Sequence, residues 1–164
     1  MTNRKTYIAV IQCHLVKQRC SGYFCEKAFN ERSGAFSAYA GEENLRILYM
    51  TCGGCCGRAT HRKLANLIRM SKKRENISKD QIVVHLASCI TNDNYHGPPC
   101  PHLDYLKELI VKLSLDLVEG TNISPKAEAR RLDGKYKLRA GQVNESDDFF
   151  SESESEDEYG DGGG

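Results

Sequence analysis

Four short runs of Ile, Val, Leu and other apolar residues, each separated from the next by twenty or more residues of mixed character, most constrain how this chain folds. They cover residues 7–13, 45–51, 81–89 and 115–119. Runs of this length with little polar alternation are buried on both faces, as in a parallel sheet wrapped by crossover connections. The connections read as helices. Leu64, Leu67, Ile68 and Ser71 recur at helical spacing between the second and third runs, with Lys and Arg on the other positions, so a helix should start near Arg58. Leu103, Leu106, Leu109, Ile110 and Leu113 repeat that spacing before the fourth run, with Pro101 where a first turn tolerates proline. The first connection is less regular, with short helices expected around residues 26–30 and 35–39. Right-handed βαβ units then predict an α/β fold: a small open parallel sheet of about four strands, order 2-1-3-4 as in flavodoxin-like folds, with crossover helices on both faces.

The 164 residues suffice for one domain with its own core, expected over residues 1–123. Residues 124–143 read as a basic extension and residues 144–164 as a disordered acidic tail rich in Ser, Glu and Gly. The net charge of +1 conceals that asymmetry. Nine of the 22 acidic residues fall in the tail, leaving 13 against all 23 Lys and Arg, a net +10 for the rest. A basic body admits nucleic acid as a partner, but no RNA- or DNA-binding motif accompanies the charge, and a solvated surface with a solubilising tail is the favoured reading.

Eight cysteines in a chain this long would be read as a disulfide framework if it were secreted. Arg4 and Lys5 do precede an apolar stretch, but Gln12 and His14 interrupt it and no small-residue cleavage site follows. No segment approaches the roughly 20 apolar residues that span a bilayer. The expectation is a cytoplasmic protein with reduced thiols, available for metal or thiol chemistry.

Position matters more than number. Cys13 ends the first predicted strand, Cys52 follows the second, Cys89 ends the third and Cys100 leads toward the next helix. A parallel sheet brings all four to its carboxyl edge, where α/β proteins place their sites. Adjacent strands lie about 4.8 Å apart, and two thiolates on one tetrahedral zinc lie about 3.8 Å apart, so one ion fits the spacing. Cys52-Gly53-Gly54-Cys55 adds a Cys-x-x-Cys turn at a helix N-terminus, where the dipole favours the thiolate. Cys100-Pro101-His102 offers a sulfur and an imidazole close together. The predicted metal ligands are Cys13, Cys52, Cys55, Cys89, Cys100 and His102, with zinc the expected ion and an iron–sulfur cluster the alternative. For Cys13 and Cys89 a buried core thiol is the plain alternative. His14 and His85 read as hydrogen-bonded structural residues, and His61 and His96 as surface ones. Cys20 and Cys25 stand on an irregular loop and are evenly balanced between joining the site and not. Cys56 should turn away from its neighbour Cys55.

These residues resemble the CGGC-domain family over residues 7–122. The likeness runs through Cys52-Gly53-Gly54-Cys55 after a strand, Cys20 and Cys25 followed by Lys27-Ala28-Phe29-Asn30-Glu31-Arg32 and Gly34-Ala35-Phe36, then Ser88-Cys89-Ile90, Cys100-Pro101-His102 and Val118-Glu119-Gly120-Thr121. The resemblance implies metal binding, with zinc suggested by the cysteines and histidines. Cys56 stands where the family often has proline, and Asn122 where it often has histidine, which removes one possible ligand. The same loop also spells Cys-x5-Arg from Cys52 to Arg58, the arrangement of low-molecular-weight tyrosine phosphatases and thiol arsenate reductases. In that rival, Cys52 attacks an oxyanion held by loop N–H groups and Arg58. Ala59 occupies the place of their usual Ser or Thr, and Cys89, Cys100 and His102 go unused.

Overall fold

The computed structural model describes residues 4–92 and 98–133; the predicted tail over residues 144–164, the end of the basic extension and His96 lie outside them. Four strands, β1 (Tyr7–Gln12), β2 (Arg46–Thr51), β3 (Ile82–Leu86) and β4 (Asp116–Glu119), form one sheet. All pairs are parallel and the order is β2-β1-β3-β4, as expected. The connections contain α1 (Tyr23–Asn30), α2 (Arg58–Glu75), the single turn α3 (Ser88–Thr91) and α4 (Leu103–Lys112), with α5 (Pro125–Leu132) after the sheet.

The continuous apolar runs belong to the two central strands. Every residue of β1 and β3 is buried, whereas β2 and β4 are edge strands with exposed positions. One core packs Ala9, Ile11, Val84 and Leu86 against Leu64 of α2 and Leu106 and Ile110 of α4. The other packs Ile8, Val10 and Val83 against Phe29 of α1 and against Phe36 and Tyr39, which lie in a 3-10 segment, Gly34–Tyr39. Helices therefore cover both faces, as the strand pattern required. Completely burying Leu64 removes a leucine side chain from water, worth about 1.5–3 kcal/mol.

α2 starts after Gly57, whose φ of 62° suits glycine, and stops at Asn76, whose φ of 55° closes the left-handed cap. Lys72, Lys73 and Arg74 occupy its last turn, where cations complement the helix dipole. Two boundaries differ from expectation. β3 stops at Leu86, so Cys89 sits in the turn α3 instead of at a strand end. The Ala87 carbonyl accepts from the N–H groups of Ile90 and Thr91, which winds the chain before Cys89 can extend the ladder. Pro101 precedes α4 in a turn closed by the Leu103 N–H on the Cys100 carbonyl.

Candidate metal centre

The ladder runs on one residue past each strand: the N–H groups of Cys52, Ala87 and Gly120 donate to the carbonyls of Gln12, Ile11 and Leu86. Since Gln12 is in register with Thr51, and Ile11 with Leu86, the loops leave the sheet at one level. Cys13, Cys52 and Cys89 stand at that edge. Cys13 and Cys52 are buried, Cys89 and Cys100 half-buried, and Cys55 exposed. All eight cysteines are thiols, with no disulfide between any two.

The end of β1 serves both neighbours. The Cys13 N–H donates to Cys89 Sγ at 3.2 Å and the His14 N–H donates to Cys52 Sγ at 3.4 Å. Cys100 Sγ accepts the backbone N–H of His102. Three sulfurs thus take a main-chain donor each, and for Cys89 and Cys100 that donor favours the thiolate over the thiol. Burial opposes it. It pushes Cys89 up to about 12, with the Cys13 N–H acting in the other direction and the charges of Cys13, Cys25 and Cys20 adding to the rise. Cys100 is raised chiefly by burial, and the charges of Cys13, Cys52 and Cys55 raise it further. Cys13 therefore lies within electrostatic reach of two thiol groups: Cys100 with Cys52 and Cys55, and Cys89 with Cys20 and Cys25. A cation among these sulfurs would remove the mutual repulsion and part of the burial penalty.

The CGGC turn is shaped by its glycines. Gly53 and Gly54 have φ of 79° and 110°, and a Cβ on Gly53 would overlap the Ala59 Cβ in the first turn of α2. That close approach lets the chain reverse between β2 and α2. Gly57 is pressed against Tyr105 and Leu106 of α4. Lys63 of α2 donates to the Thr51 carbonyl at 2.7 Å and holds a positive charge beside the turn.

Behind Cys89 lies an array of hydrogen bonds that sequence reasoning missed. The Ser88 N–H donates to Thr121 Oγ1 at 3.2 Å, and the Thr121 N–H donates to Ser88 Oγ at 2.9 Å. The Thr121 hydroxyl also meets Cys25 Sγ at 3.3 Å, and its carbonyl accepts the Ala35 N–H at 3.0 Å. A Cβ on Gly34 would stand 2.5 Å from that carbonyl. Gly34-Ala35, Ser88-Cys89 and Gly120-Thr121 are far apart in the chain and form one supporting structure. The only signal for it was that these stretches belong to the motifs of the family likeness.

The other predicted residues fall out variously. Cys20 is exposed and Cys25 half-buried, and both face Cys89 electrostatically, whereas Cys56 is exposed. The His102 side chain is exposed at the start of α4. His61 is exposed on α2, and His14 Nδ1 lies 3.3 Å from Thr51 Oγ1. His85 is fully buried: Nδ1 donates to the Gly120 carbonyl at 3.0 Å, so Nε2 accepts from the Tyr39 hydroxyl at 2.7 Å. Burial lowers its pKa, which keeps the ring neutral.

The donor chemistry suits a soft or borderline ion. The placement suits it in part. Among the described residues no three Cys, His, Asp or Glu side chains surround a common point closely enough to hold one. As for the oxyanion alternative, Cys52 Sγ takes its N–H from His14, across the sheet edge, and within the loop the Gly57 N–H is bonded to the Gly54 carbonyl. Arg58 is exposed at the first position of α2.

The model of the CGGC domain matches residues 7–122. The chain belongs to the CGGC-domain family. An uncharacterized protein of Methanocaldococcus jannaschii is 31% identical over 123 residues, covering 70% of this chain and 85% of the relative. No solved structure matches the chain. As a cysteine-rich CGGC domain it is compatible with a metal cofactor. No helix among the described residues is long and apolar enough to cross a membrane.

Proposed function

We propose that this CGGC domain is a metal-binding protein that holds zinc through Cys13, Cys52, Cys55 and Cys100, with Cys89 and His102 as flanking donors. The observation that supports this most is the wiring of the sheet edge: Cys52, Cys89 and Cys100 each accept a main-chain N–H, and Cys100 is within electrostatic reach of Cys13, Cys52 and Cys55. Four thiolates satisfy zinc, a metal that is itself redox-inert and is usually held structurally by such sets. Loading requires the exposed Cys55 to turn inward, which the glycines before it allow. Their thiol protons leave as the metal enters, so uptake is pH-dependent. A cytoplasmic location would keep these thiols reduced.

Protein purified without oxygen and assayed for metal tests this. Stoichiometric zinc is expected, lost in Cys13→Ser, Cys52→Ser and Cys100→Ser and kept in Cys56→Ser. Visible absorption with bound iron would replace zinc by an iron–sulfur cluster. A folded, reduced protein that takes up neither metal would refute the proposal.

A further inference from the structure

At the same edge, on the opposite face from Cys13, a cleft of about 390 Å³ is lined by Gln12, Lys17, Ser21, Gly22, Glu26 and Tyr49. Its size is that of a small-molecule site, which runs from roughly 300 to 1,000 Å³. Side chains alternate along β1, so Gln12 follows Ile8 and Val10 toward α1 while Cys13 turns to the other core. Gln12 is only 2% exposed as a whole residue, and its side-chain amide, for which no hydrogen bond is seen among the described residues, is not sealed off but opens onto the cleft. An amide that meets solvent only through the cleft is placed to exchange hydrogen bonds with whatever occupies it.

Other donors face the same space. A Cβ on Gly22 would lie 3.0 Å from Lys17 Nζ and 3.2 Å from Gln12 Nε2, so those two nitrogens crowd one point that glycine leaves open. Lys17 gives one hydrogen to the Ser21 carbonyl at 2.8 Å, leaving two. Helix α1 starts here at Gly22, which has no side chain to cap it; the Ser21 hydroxyl takes the Tyr23 N–H at 3.2 Å, and the next N–H groups of the first turn have no acceptor within the helix. Glu26, one turn along, brings a carboxylate to the cleft wall; Asn30 binds it, and no ion pair joins it to Lys17 among the described residues. Two opposite charges thus border one cavity without neutralising each other. The Tyr49 hydroxyl stays protonated, its pKa raised by burial.

We propose that this cleft binds a small zwitterion of the α-amino acid class. Its carboxylate would meet Gln12, Lys17 and the start of α1, its ammonium Glu26, and its side chain the Tyr49 ring. The inference is independent of the metal proposal, since none of these residues is a proposed ligand.

The test titrates the full chain with each free amino acid, using acetate as a carboxylate-only probe and ethylamine as an ammonium-only probe. Binding is followed by thermal midpoint and calorimetry. Saturable binding of some amino acids is expected, with both control probes weaker by roughly tenfold or more. Lys17→Met and Glu26→Gln should each weaken it by about tenfold, and neither should alter metal content. Gln12→Leu, which fills the buried position without a polar atom, should also weaken it. Absence of saturable binding by any amino acid overturns the proposal. So does binding that is indifferent to both Lys17→Met and Glu26→Gln, or acetate binding that matches the best amino acid and improves in Glu26→Gln, which would mark a plain anion site.

Discussion

The two central glycines of the CGGC motif should differ sharply when given a methyl group. Both have positive φ, so alanine at either incurs about 1–2 kcal/mol of backbone strain. Only Gly53 also meets an obstacle: its Cβ would overlap that of Ala59, while a Cβ on Gly54 would have nothing within 4 Å. Overpacking of that kind adds about 1–3 kcal/mol. Gly53→Ala should therefore cost about 2–5 kcal/mol and Gly54→Ala about 1–2 kcal/mol. Urea unfolding of the reduced, metal-free protein reads the difference, and each kcal/mol should also move the thermal midpoint by roughly 2–4 °C. The cause is checked by adding Ala59→Gly. With the Ala59 methyl gone, its Cα is 3.7 Å away, an ordinary contact. Ala59→Gly alone should cost about 0.5–1 kcal/mol, yet combined with Gly53→Ala it should give a recovery of about 1–3 kcal/mol relative to the sum of the two single losses. Equal losses at Gly53 and Gly54, or no recovery with Ala59→Gly, would refute the steric argument.

Because burial depresses the His85 pKa below its ordinary 6.5, the fold has the full benefit of a neutral ring above that pH and loses it as pH falls toward the folded value. Wild-type stability should drop below about pH 6.5 more steeply than that of His85→Gln, measured by urea unfolding. Cys89 has the opposite sign: its pKa rises from 9.0 to about 12, so its contribution is complete below pH 9.0 and disappears as pH climbs through that window. Metal-free protein should lose stability there, and Cys89→Ala should lose less. Thr121→Val keeps the shape but leaves the buried Ser88 N–H without its acceptor, so it should cost about 1–3 kcal/mol. The same variant should change the rate at which Cys25 reacts with a thiol-labelling reagent; an unchanged rate would show that their 3.3 Å contact has no influence on that sulfur.

Strand order and the two-sided helix cover were legible because burial on both faces leaves a continuous apolar run, as in residues 7–11, and because Leu64, Leu67 and Ile68 mark a helix period. The arrival of Cys13, Cys52 and Cys89 at one edge followed from parallel topology alone. His85 also behaved as a buried, hydrogen-bonded residue. What escaped notice was non-local. Nothing near Ser88 announces that Thr121 will exchange hydrogen bonds with it, and nothing near Cys20 or Cys25 announces their approach to Cys89. The α3 turn was hidden because Ala87, Cys89 and Ile90 continue the apolar character of β3, so hydropathy did not mark where the backbone changed direction. Gln12 interrupted a strand and was read only as evidence against a signal peptide, although an amide beside a glycine is what the cleft required.

The strand at the centre of the sheet is also the first to leave the ribosome. β1 emerges with neither neighbour available: β2 follows after an intervening helix, and β3 only after α2 as well. Vectorial synthesis therefore presents the nascent chain with a strand destined for complete burial still unpaired, in a topology whose non-local pairing is slow. The Cys13 N–H cannot reach its sulfur acceptor until Cys89 has been made, and the brace behind Cys89 awaits Thr121, near the end of the matched domain. Completion of the thiol edge thus belongs to the final stage of folding, with sulfurs accessible to oxidants and to stray ions until then.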